Sequence, residues 1–265
     1  MSAIVRSCFE SLVSERETAV AVRVLEELSA SREHVVVLLS GAHAYGFPSP
    51  DSDLDLKAIH LADTASLLGL HAPKPTADRA EIVDGVEIDY TSNELGHALA
   101  GILAGNGNFI ERVLGRTQVV VSPILDELRP LVARSLSRKL HAHYRGFSFS
   151  QLKLLEKEPT AKKLLYVLRT ALTGLHALVT GSIEADLGVT AGLYGFADTQ
   201  ELVAQKRAGE KVPLSSETIA AWRPRVDALL ERLDEARASS PLPEEAPNEA
   251  ELDAWLRAVR RRSLV

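Results

Sequence analysis

The sequence predicts an α+β protein: a small mixed-sheet domain over residues 1–121, then an all-helical domain over 122–265. Three observations carry that expectation. Before Ser122, runs rich in β-branched and aliphatic residues alternate with helical patterns. The pair Asp84-Gly85 sits between two alternating runs, which is a strong hairpin signal. After Ser122 the apolar residues recur almost entirely at helical spacing.

In chain order, Glu17 to Leu28 places Val20, Val22, Val24, Leu25 and Leu28 at helical spacing, so an amphipathic helix precedes the first strand. "HVVVLLSG", His34 to Gly41, reads as a buried strand ended by glycine. "DLDLKAIH", Asp53 to His60, alternates acid and apolar residues before an apolar end and is the second strand. A polar, proline-bearing connection over His71 to Arg79 leads to the hairpin "EIVDGVEIDYT", whose second arm carries Asp89. "NELGHALAGILAG" and "NFIERVLG" read as helices, and "TQVVVS" as a short strand. Ser122 opens a helix with Pro123 at its favoured first position. Further helices are expected over Pro123 to Leu136, Lys139 to Lys157, Ala161 to Thr180, Thr199 to Gly209, Ser216 to Ala238 and Glu249 to Arg262, with proline-rich "SSPLPEEAP" separating the last two.

With 265 residues, 46% hydrophobic and 25% charged, the chain is an ordinary globular protein able to bury a substantial core. Its 30 basic and 36 acidic side chains leave a formal charge of −6, which excludes bulk electrostatic attachment to nucleic acid; any such contact is local. A single cysteine, Cys8, excludes an intramolecular disulfide and a cysteine-rich zinc site. Charge appears too early at the N-terminus for a signal peptide, and no stretch approaches the roughly 18 apolar residues of a membrane span, so a cytoplasmic protein is expected.

The most informative stretch is "SGAHAYGFPSPDSDLDLKA", residues 40–58, where Asp51, Asp53 and Asp55 follow a turn bounded by Gly41 and Gly46. A solvated loop explains "PSPDSD" by itself, since Asp and Ser favour turns. A calcium loop of the helix-loop-helix kind fails, because Leu56 and Ala62 stand where glycine and glutamate are needed. On a strand, however, Asp53 and Asp55 share one face while Leu54 and Leu56 take the other. Glu87 and Asp89 share a face on a neighbouring strand, so a third carboxylate can join the pair. Three anions gathered at the edge of an apolar sheet call for cations, and an oxygen-only donor set favours Mg²⁺ or Mn²⁺ over zinc. Two such ions clamp the attacking and leaving oxygens of phosphoryl transfer, with Asp89 as base for an incoming hydroxyl. Asp51 lies earlier, as a turn former. The small-residue turn from Gly41 to Gly46 exposes backbone amides able to hold a phosphate.

That layout resembles the polymerase β nucleotidyltransferase superfamily. "GAHAYGFPSPDSDLDL" is similar to the signature of its predicted nucleotidyltransferases grouped with RNA-repair-associated polymerase β-like proteins, with Gly41, His43, Ala44, Tyr45, Gly46, Ser52, Asp53 and Asp55 falling on it. "DYTSNEL" resembles the third-carboxylate segment, "NGNFIERVL" an Asn-Pro-Asn motif, "KKLLYVLR" a helix with Lys162 and Arg169 seven apart, and "SPLPEEAP" a late Leu-Pro-Glu element. The resemblance implies a mixed-sheet polymerase β-like domain with a helical domain behind it. It also implies transfer of a nucleoside monophosphate from a nucleoside triphosphate (NTP) such as ATP, with release of pyrophosphate. The metal site it implies is Asp53, Asp55 and Asp89, and the nucleotide seat is Gly41, Ala42, His43, Tyr45, Gly46 and Ser52. Lys162, Tyr166 and Arg169 join that seat, falling within about 60° on one helix face. RNA is the expected acceptor; a protein, a small molecule, or nucleotide binding without chemistry are the alternatives, the first two mildly favoured by the net acidity.

The chain departs from the family pattern at Ala42 for serine, Gly107 for proline and Tyr166 for histidine. Loss of the serine hydroxyl implies weaker triphosphate binding. Lys57 shares the parity of Asp55 and either meets phosphate or balances the acidic cluster. His141 and His143, about 200° apart on a helix, do not chelate one ion. Glu111 and Asn108 are candidates to support the site. Arg257, Arg260, Arg261 and Arg262 form either a solvated helix end or an RNA contact.

Overall fold

A computed structural model describes residues 2–209 and 212–264. Six strands and thirteen helices are assigned among them: β1 Ala3–Ile4, α1 Arg6–Glu10, α2 Glu15–Ser31, β2 Glu33–Leu39, α3 Gly41–Ala44, β3 Leu54–Leu61, α4 Thr64–Leu67, β4 Thr76–Val83, β5 Val86–Glu94, α5 Leu95–Leu103, α6 Gly107–Leu114, β6 Gln118–Val121, α7 Pro123–Arg134, α8 Leu140–Lys157, α9 Ala161–Thr180, α10 Leu187–Tyr194, α11 Thr199–Ala208, α12 Ser216–Ser239 and α13 Glu249–Arg262. The fold is α+β, as the sequence predicts. By contact the chain sorts into two compact units, one of Met1–His43, Asp53–Ser135 and Ala246–Val265, the other of Ala44–Ser52 and Leu136–Glu245.

The first unit is a six-stranded sheet in the order β1-β6-β2-β3-β5-β4. Only β3 and β5 run parallel; the other pairs are antiparallel. The β4–β5 hairpin closes at Asp84 and Gly85, with φ of 49° and 72°, the tight turn that Asp-Gly favours. β4 begins at Thr76, so the connection expected over His71 to Arg79 is already strand in its second half.

Alternation decides which residues enter the core. Leu54, Leu56 and Ala58 of β3 join Val37 and Leu39 of β2 and Val86, Ile88 and Tyr90 of β5 on one face. There they meet Phe9 of α1 and Val20, Val24, Leu25 and Leu28 of α2. Full burial of each such side chain stabilises by roughly 1.5–3 kcal/mol. A capping box at Ser14 and Glu17 starts α2. α5, α6 and α7 pack on strands β2, β3 and β5.

The first unit does not stop at Val121. α7 packs against β2 and α6, and α13 returns from the far end of the sequence to pack against α5 and α7. Asn248 Nδ2 donates to Leu131 O (3.0 Å) and Trp255 Nε1 to Glu127 Oε2 (3.0 Å), which ties that last segment to α7. The second unit centres on α9, against which α8, α10, α11 and α12 pack. Its Leu-Pro-Glu segment is ordered by Arg138, whose Nε donates to Leu242 O (2.9 Å) and whose Nη1 pairs with Glu244 Oε1 (2.8 Å). Among the described residues no helix is long and apolar enough to cross a membrane.

Candidate active site

β3 and β5 pair in parallel with Asp55 opposite Asp89 and Leu54 opposite Ile88. The apolar residues fix this register: Leu54, Leu56 and Ile88 are fully buried, so their neighbours in sequence must point to the opposite face. Asp53 immediately precedes β3 and is half-buried, as are Asp55 and Asp89. The carboxylates of Asp55 and Asp89 meet at one cation. Lys57 Nζ lies 3.2 Å from Asp55 Oδ1 and 2.9 Å from Asp89 Oδ2. Of the two roles open to Lys57 in the sequence, charge balance is the one the geometry displays. Glu87, on the same face as Asp89, is exposed.

Burial pushes the Asp55 carboxyl above its ordinary range; the Lys57 ammonium opposes that rise, while the nearby charges of Asp53 and Asp89 add to it. Asp55 thus sits among anions that raise the cost of ionising it. Among the described residues, no three His, Cys, Asp or Glu side chains are gathered as a ready metal cluster.

The segment expected as a small-residue turn is in its first part the short helix α3, Gly41–Ala44, and it is stitched beside this strand. Ser40 N–H donates to Asp55 O (2.8 Å), and Gly41 then turns with φ of +66°. A Cβ at Gly41 would run into the Asp55 carboxylate, so only glycine gives both the left-handed backbone and the room. Ala42 and His43 are buried. Both ring nitrogens of His43 are buried without a hydrogen-bond partner among the described residues, an arrangement that native structures rarely leave unanswered.

The remaining sequence-predicted residues belong to the second unit. Arg169 is buried and stacks on Tyr45, its Cζ 3.6 Å from the ring centroid. Tyr166 meets Tyr45 and Phe47 edge to face, with centroids 6.1 and 5.5 Å apart. A plain solvated basic face is therefore not what α9 presents at Arg169. Lys162, at the start of that helix, is half-buried. Gly46 has φ of +84° and is crowded by the Asp186 carboxylate.

Ser52 is pinned. Ser49 N–H donates to Ser52 Oγ (3.0 Å), and the fully buried Lys206 sends its ammonium to Ser49 Oγ (2.8 Å) and Ser52 Oγ (3.2 Å). Asp51 is the turn former expected: the Ser49 hydroxyl is the leading cause holding its carboxyl below the usual range. Lys206 escapes sequence reading, since it sits in an ordinary charged helix with no motif about it. Arg112 was legible only as part of "NGNFIERVL"; it is buried and its Nη1 donates to Ala58 O (2.9 Å), tying α6 to β3. Asn106 caps α6 by accepting from Asn108 N–H (3.0 Å), and Glu111 is buried on that helix. His141 pairs with Asp234 (2.7 Å), and His143 stacks on Phe147. Of the arginines in α13, Arg257, Arg260 and Arg262 are spent on Asp253, Glu94 and Glu127.

The mixed sheet thus carries a glycine-bounded segment leading to Asp-x-Asp on one strand, and a third carboxylate in register on its parallel neighbour. Residues 19–258 match the model of the RNA repair pathway DNA polymerase beta family, and the chain belongs to that family. An uncharacterized protein of Methanocaldococcus jannaschii is 31% identical over 156 residues, covering 57% of this chain and 63% of that protein, so the match spans just under two thirds of the relative's length. A crystal structure of a nucleotidyltransferase-like protein from Exiguobacterium sibiricum aligns over 93% of this chain and 80% of that one, at 13% identity and a TM-score of 0.34.

Proposed function

We propose that the protein is a Mg²⁺- or Mn²⁺-dependent nucleotidyltransferase that moves a nucleoside monophosphate from an NTP to an acceptor hydroxyl, with an RNA end as the acceptor. One observation carries this reading: Asp55 and Asp89 lie in register on parallel strands and their carboxylates converge on a single cation, the Lys57 ammonium.

The chemistry of the donors supports a divalent ion. The donors are hard carboxylate oxygens, Asp55 is held in a poorly solvated place where a counter-charge is needed, and the missing side chain at Gly41 leaves its carboxylate room. Asp53, Asp55 and Asp89 would hold the metal, which when bound neutralises triphosphate charge and stabilises the attacking and leaving oxygens. The acceptor hydroxyl attacks the α-phosphorus, Asp89 takes the hydroxyl proton, and pyrophosphate leaves. Gly41 to Gly46 offer backbone amides to the phosphates, and the unpartnered His43 ring supplies a further polar contact.

The acceptor is the open choice. The −6 net charge and the ion-paired arginines of α13 favour a protein or small molecule as the second reading. Labelled NTPs offered with Mg²⁺ or Mn²⁺ to RNA, protein and metabolite pools decide it. Transfer to RNA that falls on the order of a thousand-fold in Asp53→Ala and Asp55→Ala is the expected result, equivalent to about 4 kcal/mol of transition-state stabilisation. Tight NTP binding with no transfer to any pool would make the chain a nucleotide-binding protein without chemistry.

A further inference from the structure

The carboxylate site already contains a cation, and it belongs to the chain. Lys57 stands two residues after Asp55 on the same face of β3, and its ammonium bonds both to Asp55 on its own strand and to Asp89 on the neighbouring one. Its side chain is 21% exposed, against 19% for Asp55, so the pair with Asp55 is shielded from water on both sides. Lys57 Nζ also lies 3.5 Å from Asp89 O. An ammonium and a divalent ion compete for the same carboxylate oxygens, since each carboxylate has a limited set of lone pairs and the two cations repel.

We propose that Lys57 is a displaceable internal counter-ion: it holds Asp55 and Asp89 together while no divalent ion is bound, and it must release them for the metal to bind. The device rests on the metal-dependent reading above and deepens it. In the metal-free chain Lys57 relieves the repulsion among Asp53, Asp55 and Asp89, keeping the third carboxylate beside the pair. Lys57 is a positioning residue in this sense. Metal affinity is thereby set low, and loading of the ion becomes an exchange of one cation for another.

The test is Mn²⁺ binding to the full chain without nucleotide, followed by calorimetry, for the native protein, Lys57→Gln and Lys57→Arg. Displacing two partly shielded ion pairs weakens the native site by about ten-fold, so Lys57→Gln is expected to bind Mn²⁺ about ten-fold more tightly and Lys57→Arg to remain near the native affinity. Equal or weaker binding by Lys57→Gln overturns the proposal while leaving the metal reading standing. No binding by any of the three chains overturns both. Should Lys57→Gln fail to fold without metal, recovery of its fold by Mn²⁺ at concentrations that leave the native melting temperature unmoved supports the exchange. Failure of Mn²⁺ to recover the fold overturns it.

Discussion

His43 shows how a single side chain separates stability from function. A buried imidazole with neither nitrogen bonded is a cost to the fold, because its polar atoms have left water without replacement. Phenylalanine fills a similar volume without that penalty. The expected outcome for His43→Phe is a thermal midpoint equal to or above the native value, together with NTP affinity reduced by about ten-fold, a loss of about 1.4 kcal/mol. Equilibrium dialysis against labelled NTP and a melting curve on the same preparation check both halves. Unchanged affinity in a stable variant would remove His43 from the nucleotide seat.

At the scale of elements, the segment from Phe47 to Ser52 is short, proline-bearing and held by a buried lysine rather than by secondary structure. Removing a buried donor leaves its acceptors without a partner, at a cost of about 1–3 kcal/mol. Lys206→Met is therefore expected to lower the melting temperature, as the Ser49 and Ser52 hydroxyls lose that ammonium. Hydrogen exchange at the Ser49 and Ser52 amides is expected to accelerate by about ten-fold as that tie is lost. Exchange at native rates would show the serine turn to be self-sufficient.

This element also marks the limit of what the sequence discloses. β2, β3 and the Asp84-Gly85 hairpin were legible because alternation and turn chemistry are local. α9 and α13 run over the ranges that helical spacing predicts. β1 at Ala3–Ile4 and α10 at Leu187–Tyr194 were not: two residues carry no period, and α10 is too evenly apolar to show one. Within the site, parity put Asp53 with Asp55 and Glu87 with Asp89 on shared faces, whereas the pairing of Asp55 with Asp89 needed the strand register and the Lys57 bridge a long side chain's reach across strands. The association of α13 with α5 and α7 is a non-local contact that no window along the chain contains.

At the scale of the whole molecule, the sheet that carries the acids at one end of β3 carries two buried histidines near the other. His34 and His60 are register partners on β2 and β3. His34 bonds Tyr90 Oη (2.7 Å) and Ser29 Oγ (3.1 Å), and His60 bonds Ser92 Oγ (2.7 Å). Burial, and secondarily the Arg32 charge, lower each imidazole to about 4, with Glu94 opposing the shift at His60. In the unfolded chain they take up protons near their ordinary value of about 6.5, so between about 6.5 and 4 the unfolded state binds more protons than the folded one. Stability must then fall as the pH drops through that window, by up to about 3 kcal/mol per histidine. Asp55 acts with the opposite sign: its raised carboxyl contributes stability below the unfolded value that is lost as the pH rises through the folded one. Glu127, whose carboxyl the Arg262 guanidinium holds below its usual range, acts in the same direction as the histidines, so the net slope follows them. The expected result is a melting temperature for the sheet-bearing unit that declines steadily from pH 6.5 to pH 4, and a decline roughly halved in His60→Gln. NMR titration of the two imidazoles gives the direct check: midpoints near 4 sustain the account, and midpoints near 6.5 with a pH-independent melting temperature would refute it.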